Sequence, residues 1–403
     1  MAKDLELYVH IPFCVKKCSY CDFLSFPADE RTQGAYTDAL LKEIAYYGKQ
    51  MGDYVVNTIY IGGGTPSWLD ENKMLRILDT IYTSFQVSRD AEISMECNPG
   101  TLTQSKLSMY RRAGINRLSI GLQSADDEEL KILGRIHTFS QFLKTYEMAR
   151  ETGYSNINVD LISGIPYQTV DKFYKTLQKV VRLKPNHISA YTLIVEKGTP
   201  FYEKYKFDAV KQEAGMPTDI LPNEDEVYRI YKLTQQYLKE TGYKQYEISN
   251  FAQPGYECQH NIGYWTRKDY LGLGLGAASL VDNVRYSNTT DLYAYMENVE
   301  NIKLYRFEQE NGASEVGTNL HAAVDVVTRK AQMEEYMFLG LRLTDGITRK
   351  DFLQTFGIPI EGVYKDVLER MKKENLLYVG EGRICLTDRG MDLGNYVMSQ
   401  FLQ

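Results

Sequence analysis

Across its first 200 residues the chain alternates β-rich apolar runs with amphipathic helical segments, and this alternation restricts the fold more than any other feature. The apolar runs fall at residues 5–9, 58–61, 92–97, 117–120, 157–161 and 187–190. Helical patterns occupy 35–47, 73–85, 104–113, 139–152 and 170–183, and Gly114 and Gly153 follow two of them in the C-cap position. Repeated strand–helix units predict a parallel sheet with helices outside it. Six units suit a partial (β/α)6 barrel better than a closed eightfold one, so the fold class is α/β. Chemistry in such folds sits at the carboxyl edge of the strands. Cys14, Cys18 and Cys21 follow the first run, Gly62 to Pro66 follow the second, Glu96 closes the third, Gln123 follows the fourth and Asp160 lies in the fifth. Polar and glycine features are therefore expected to meet at one edge of the sheet.

The texture changes between Pro217 and Pro222, where a loop leads through Asn223-Glu224-Asp225-Glu226 into a helix over 227–241. We divide the chain into a core domain, residues 1–240, and a C-terminal domain, residues 241–403. Residues 242–282, rich in Tyr and Gly, fit short strands and loops, and 298–324 read as polar and irregular. Helices follow at 332–343, 349–356 and 362–374, then two short apolar runs within 376–386, separated by Gly380 and Gly382. Helix, helix and a two-stranded wing is a winged-helix-like pattern, so the second domain is expected to be α-rich.

Net charge is −7, which argues against nucleic acid or an acidic membrane surface as a non-specific partner. No apolar run approaches the roughly 18 residues of a membrane span. The start, Met1-Ala2-Lys3-Asp4-Leu5-Glu6, has no apolar signal core behind a basic start. These features point to a soluble cytoplasmic protein. Six cysteines in 403 residues are too few for a disulfide scaffold, and three of them crowd into Cys14-x3-Cys18-x2-Cys21. That spacing reads as metal ligation. Three thiolates on a [4Fe–4S] cube leave one iron open for a cofactor. A zinc site with His10 or a later residue as fourth ligand is the alternative on spacing alone.

Taken together, Tyr8-Val9-His10-Ile11-Pro12-Phe13-Cys14 with Cys18 and Cys21 resembles the opening of the radical SAM enzymes related to oxygen-independent coproporphyrinogen III oxidase. Further motifs recur in that family's order: Gly62-Gly63-Gly64-Thr65-Pro66, Glu96-Cys97-Asn98-Pro99, Gly121-Leu122-Gln123-Ser124, Leu133-Gly134-Arg135 and Val159 to Pro166. His260-Asn261-Ile262-Gly263-Tyr264-Trp265 is similar to a string of the family's heme-chaperone branch. The resemblance implies a radical SAM core with a [4Fe–4S] cluster on Cys14, Cys18 and Cys21. It implies S-adenosylmethionine (SAM) held by Tyr8, Tyr20, Gly63, Gly64, Thr65, Glu96, Gln123, Arg135 and Asp160. It further implies heme as cargo, an acceptor hemoprotein as partner, and association into a homodimer.

Each motif also has a physical reading. Three glycines let the backbone approach a ligand closely. Glu96 at a strand end suits a ribose diol, and Arg135 offers a planar fork to a carboxylate. Asp160, among apolar residues, needs a partner if buried, and a structural ion pair with Arg135 is the alternative to a ligand role. His260 is the candidate heme contact, since imidazole is a common axial ligand. On a helix, Tyr264 would share its face. Cys258 is a weaker rival.

Two departures from the oxidase branch argue against coproporphyrinogen III oxidase activity. Phe23 stands where that branch has a further Cys, and only residues 1–7 precede Tyr8. The oxidase and a radical SAM methyltransferase remain the alternatives to a heme chaperone. Gly272-Leu273-Gly274-Leu275-Gly276 lacks dinucleotide-loop spacing and reads as close backbone packing. Cys97 and Cys385 read as core cysteines. Residues 362–374 mix Lys365, Arg370, Lys372 and Lys373 with Asp366, Glu369 and Glu374, so the winged helix lacks the basic bias of a DNA reader.

Overall fold

The computed structural model describes residues 2–308 and 314–402. Six parallel strands form its centre: β1 (Lys3–Ile11), β2 (Tyr54–Gly63), β3 (Val87–Cys97), β4 (Arg117–Gln123), β5 (Asn156–Ser163) and β6 (His187–Thr192). They lie side by side in chain order. The helices between them are α1 (Glu30–Gly48), α2 (Glu71–Ser84), α3 (Gln104–Arg112), α4 (Asp127–Ile132), α5 (Phe139–Glu151) and α6 (Val170–Arg182). Each starts at an Asp or Thr whose side chain accepts a free first-turn N–H: Asp29, Asp70, Thr103, Asp126, Thr138 and Thr169.

Strand alternation separates two environments. Val9, Ile61, Met95, Leu118 and Ile157 stand in register across five strands, and all are fully buried. With Leu40 and Ile44 of α1, Ile77 and Ile81 of α2 and Phe173 of α6 they form the main core. Each such side chain contributes roughly 1.5–3 kcal/mol on burial. The opposite face carries matched rows of polar side chains. One row runs Tyr8, Tyr60, Ser94, Arg117; another runs Glu96, Ser119, Asn158, His187. One face of the sheet is thus polar and the other apolar.

Further strands, most of them antiparallel, extend the sheet beyond both ends of this set. Tyr270–Leu273 runs parallel to β1, and Ala278–Val281, Val284–Asn288 and His321–Val326 continue from it. Asn250–Ala252 pairs with β6, and Lys244–Gln245 pairs in turn with Asn250–Ala252 at that edge. The sheet therefore draws strands from both sides of residue 240. Within 298–324 the chain is more regular than its sequence suggests. Leu304–Glu308 pairs with Ser314–Thr318, and His321–Val326 forms a sheet edge. His321–Val326 buries only Val324, so it could form without an apolar alternation for the sequence to show.

The Gly272–Gly276 string is close packing. A side chain at Gly272 would collide with the Ala278 carbonyl, and Gly274 has φ +102°. The Gly274 N–H donates to buried Glu43 of α1 at 2.8 Å. Glu43 also accepts from Asn288 Nδ2 at 2.6 Å and Tyr295 Oη at 2.5 Å. Burial raises its carboxyl from 4.5 to about 7 against the opposing pull of those donors. Between these values the folded chain holds a proton that the unfolded chain has lost. Stability should therefore decline as pH rises from 4.5 to about 7, by at most about 1.4 kcal/mol per pH unit from this group. Urea titrations of wild type and Glu43→Gln across that range check this. The variant should lose that part of the decline.

The C-terminal segment has its own core, including Met337, Phe352, Tyr364, Leu368, Met371, Ile384 and Phe401. Arg329–Gly340, Arg349–Phe356 and Glu361–Lys373 precede the hairpin of Leu377–Val379 and Arg383–Leu386. The wing gains a third strand, Ile347–Thr348, too short for any sequence period to reveal. This is the α-rich, winged-helix-like arrangement expected. No helix among the described residues is long and apolar enough to cross a membrane.

Candidate cluster and cofactor site

The loop after β1 closes on itself. Phe26 N–H donates to Pro12 O at 2.9 Å, Cys14 N–H donates to Phe26 O at 3.2 Å, and the rings of Phe13 and Phe26 meet edge to face at 5.9 Å. Cys14, Cys18 and Cys21 lie inside this closed loop as free thiols. All three open onto one cavity of about 530 Å³ at the carboxyl edge of the parallel strands. Burial raises the thiol pKa values of Cys14 and Cys21.

The glycines after β2 act as a strap over this loop. Gly64 N–H donates to Ile11 O at 2.8 Å and Thr65 N–H to Phe13 O at 2.7 Å. A Cβ on Gly64 would lie 2.6 Å from the Phe13 carbonyl oxygen. Gly63 has φ +114° and donates its N–H to Glu96 Oε2 at 3.0 Å.

Glu96 and Asp160 form the acidic side of the cavity. Tyr60 Oη donates to Glu96 Oε1 at 3.1 Å. Burial, then the charge of Asp160, raises the Glu96 carboxyl to about 7. Asp160 accepts from Ser119 Oγ at 2.9 Å and Asn158 Nδ2 at 2.8 Å, and burial raises its pKa as well. These neutral partners take the place of the expected Arg135 ion pair. Arg135 turns instead to Asn98 Oδ1 at 2.7 Å, Gly121 O at 2.8 Å and Cys18 Sγ at 3.6 Å.

The three cysteines thus share the cavity with Tyr20, Gly63, Gly64, Thr65, Glu96, Gln123, Arg135 and Asp160. Tyr60, Asn98, Ser119 and Tyr191, outside the expected set, line it too. The clue to Tyr60, Ser119 and Tyr191 lay in the strands, where every second residue is polar. Tyr8 does not line this cavity. It lies behind Tyr60 with ring centroids 6.4 Å apart, and its hydroxyl meets His10 Nδ1 at 3.0 Å.

The donor geometry bears on zinc as well. His10 Nε2 donates to Leu24 O at 2.9 Å, so both ring nitrogens of the proposed fourth ligand are engaged. No three His, Cys, Asp or Glu side chains among the described residues gather closely enough for a single ion. Three thiols on one wide cavity are a donor set that a polynuclear cluster can take.

His260 lies elsewhere, on the short helix Gln259–Trp265. It is 1% exposed. Nδ1 meets Thr58 Oγ1 at 2.7 Å, Nε2 meets Tyr264 Oη at 3.1 Å, and the ring stacks on Tyr60 at 5.2 Å. Burial, then Arg117, lowers its pKa to about 3, so the imidazole is neutral. Either ring nitrogen would have to give up a buried hydrogen bond before it could bind a metal in this geometry. The helix docks under β1 and β2 because Gly263 has no side chain to collide with buried Glu6.

Comparison with known proteins agrees with this layout. Residues 8–180 match the radical SAM superfamily, and 327–393 match the HemN C-terminal domain. The chain is 34% identical to heme chaperone HemW of Bacillus subtilis (strain 168), covering 98% of this chain and 98% of that protein. It is 33% identical to heme chaperone HemW of Lactococcus lactis subsp. lactis (strain IL1403), covering 100% and 98%. The solved structure of coproporphyrinogen III oxidase (HemN) from Escherichia coli, described as a radical SAM enzyme, superposes with a TM-score of 0.80 at 25% identity, covering 99% of this chain and 90% of that one. With that identity sustained end to end, and with the cysteine loop, glycine strap and acidic strand ends on one cavity, the chain belongs to the HemW family within the radical SAM superfamily.

Proposed function

We propose that this protein is a heme chaperone that holds a [4Fe–4S] cluster on Cys14, Cys18 and Cys21, binds SAM against it, and delivers heme to an acceptor hemoprotein. The observation that carries the cofactor reading is the single cavity shared by three thiols, the Gly63–Gly64–Thr65 strap and the Glu96–Asp160 pair. When bound, the cluster supplies a metal position and an electron to SAM. Around it, Gly63 and Gly64 bring backbone polar groups close to the amino-acid moiety, and Thr65 adds a hydroxyl. Glu96, fixed by Tyr60 and the Gly63 N–H, accepts hydrogen bonds from the ribose. Arg135 and Gln123 face the carboxylate, and Tyr20 closes one side. Tyr8 acts from behind Tyr60, and His260 acts on heme through Tyr264. Heme as cargo follows from end-to-end similarity to proteins named heme chaperone HemW, and a homodimer is the form in which we expect transfer.

The structural likeness to coproporphyrinogen III oxidase supports a second reading, an oxidase acting on that substrate. Phe23 lies 67% exposed at the cavity mouth, where the oxidase branch has a cysteine. An anaerobic heme titration of cluster-loaded protein separates the two. Saturable binding near one heme per chain, with no conversion of coproporphyrinogen III when SAM and reductant are added, is expected. Conversion without saturable heme binding would make the protein an oxidase.

A further inference from the structure

A second cavity, of about 520 Å³, opens between β1, the strands at 270–281 and the helix Arg329–Gly340. It is within the roughly 300–1,000 Å³ of small-molecule sites. Its walls are aromatic and aliphatic: Tyr8, Tyr264, Trp265, Tyr270, Leu280 and Phe338. One end carries two guanidinium groups against one carboxylate. Arg267 Nε donates to Glu335 Oε2 at 2.7 Å, and Arg285 Nη2 donates to Glu335 Oε1 at 2.9 Å. The Arg267 and Glu335 side chains are each only 9% exposed. Arg267 Nη1 donates to Asn283 Oδ1 at 2.8 Å, but Nη2 finds no partner among the described residues, and neither does Trp265 Nε1. A buried donor left unpaired is costly. A ligand carboxylate at this end would balance the surplus positive charge of two guanidinium groups against one carboxylate.

We infer that this second cavity is the cargo site and takes a flat apolar macrocycle whose carboxylates pair with Arg267. This assignment rests on the heme-carrying reading above and adds where the heme sits. Tyr8 belongs to this cavity and Tyr60 to the cluster cavity, and the two rings stack. That pair is the wall between the sites, so heme and SAM are held together without competing. His260 serves as a positioning residue, since its Nε2 meets the hydroxyl of Tyr264 on the cavity wall.

The test is a heme titration of full-length, cluster-loaded protein with SAM affinity measured in parallel. Arg267→Ala removes one of the two guanidinium groups that face the single carboxylate of Glu335. Ala278→Trp fills the cavity from an exposed lining position and removes no buried contact. Each should weaken heme binding at least about tenfold while cluster absorption and SAM affinity stay at the wild-type level. Wild type that saturates alongside two variants that bind equally well overturns the cavity assignment and leaves the chaperone reading standing. Wild type that fails to saturate overturns the chaperone reading itself. A parallel loss of SAM affinity in Ala278→Trp overturns the separation of the two sites.

Discussion

Cys18→Ala is expected to abolish the iron–sulfur absorption band and reduce iron content to background. SAM affinity should fall about 100-fold or more, a loss near 2.7 kcal/mol. Cys18 lies on the cluster cavity with Cys14 and Cys21, and Arg135 Nη1 is 3.6 Å from its sulfur. Removing one of three ligands leaves a cube held at two corners, with a guanidinium facing no thiolate. Cys385→Ala, in the wing and remote from the cavity lining, is the control and should keep its iron. Anaerobic reconstitution, iron analysis and SAM titration give the answer. A Cys18→Ala protein that retains cluster and SAM binding would remove the basis for the site.

Gly64→Ala should be nearly as damaging, although it adds one methyl group. The new Cβ would lie 2.6 Å from the Phe13 carbonyl oxygen and 3.0 Å from the Phe13 nitrogen. Both are backbone atoms, so no side-chain rotation relieves the clash. The same stretch carries the Gly64 N–Ile11 O and Thr65 N–Phe13 O bonds. Relief must therefore come from moving the segment that enters the cysteine loop, at a cost of roughly 1–3 kcal/mol. Cluster retention should drop to less than half after reconstitution, and SAM affinity at least about tenfold. Gly100→Ala has nothing within 4 Å of its added methyl, but its φ of +84° strains the backbone. It should lower stability while sparing the cluster. Equal cluster loss in both variants would mean that Gly64 acts through general stability.

Much of the site was legible because its parts are local in sequence. The cysteine spacing, the triple glycine and the strand-end Glu96 each lie within one short motif, and the strand–helix repeat predicts that they meet at one edge. What the sequence left open shares one cause, the identity of long-range partners. Arg135 and Asp160 look like a pair in sequence, but Ser119 and Asn158 on neighbouring strands satisfy Asp160 first. His260 looks like an available ligand because its motif is polar and aromatic. Its burial depends on Thr58, 202 positions away, and on the gap that Gly263 leaves for Glu6.

By itself the sequence determined the α/β class, the carboxyl-edge location of the thiols and the winged-helix-like end. Periodicity, caps and motif spacing are properties of neighbouring residues. Only the tertiary structure decided which polar residues share a cavity. Register across parallel strands aligns Glu96 with Ser119 and Asn158, and parallel pairing brings Tyr270–Leu273 against β1. It also decided that Tyr8 and Tyr60 stand between two cavities rather than in one. The physical reason is that hydrogen-bond satisfaction and burial are set by whichever groups the fold brings within about 3 Å, and those groups come from segments 41 positions apart for Ser119 and Asp160 and 202 apart for Thr58 and His260.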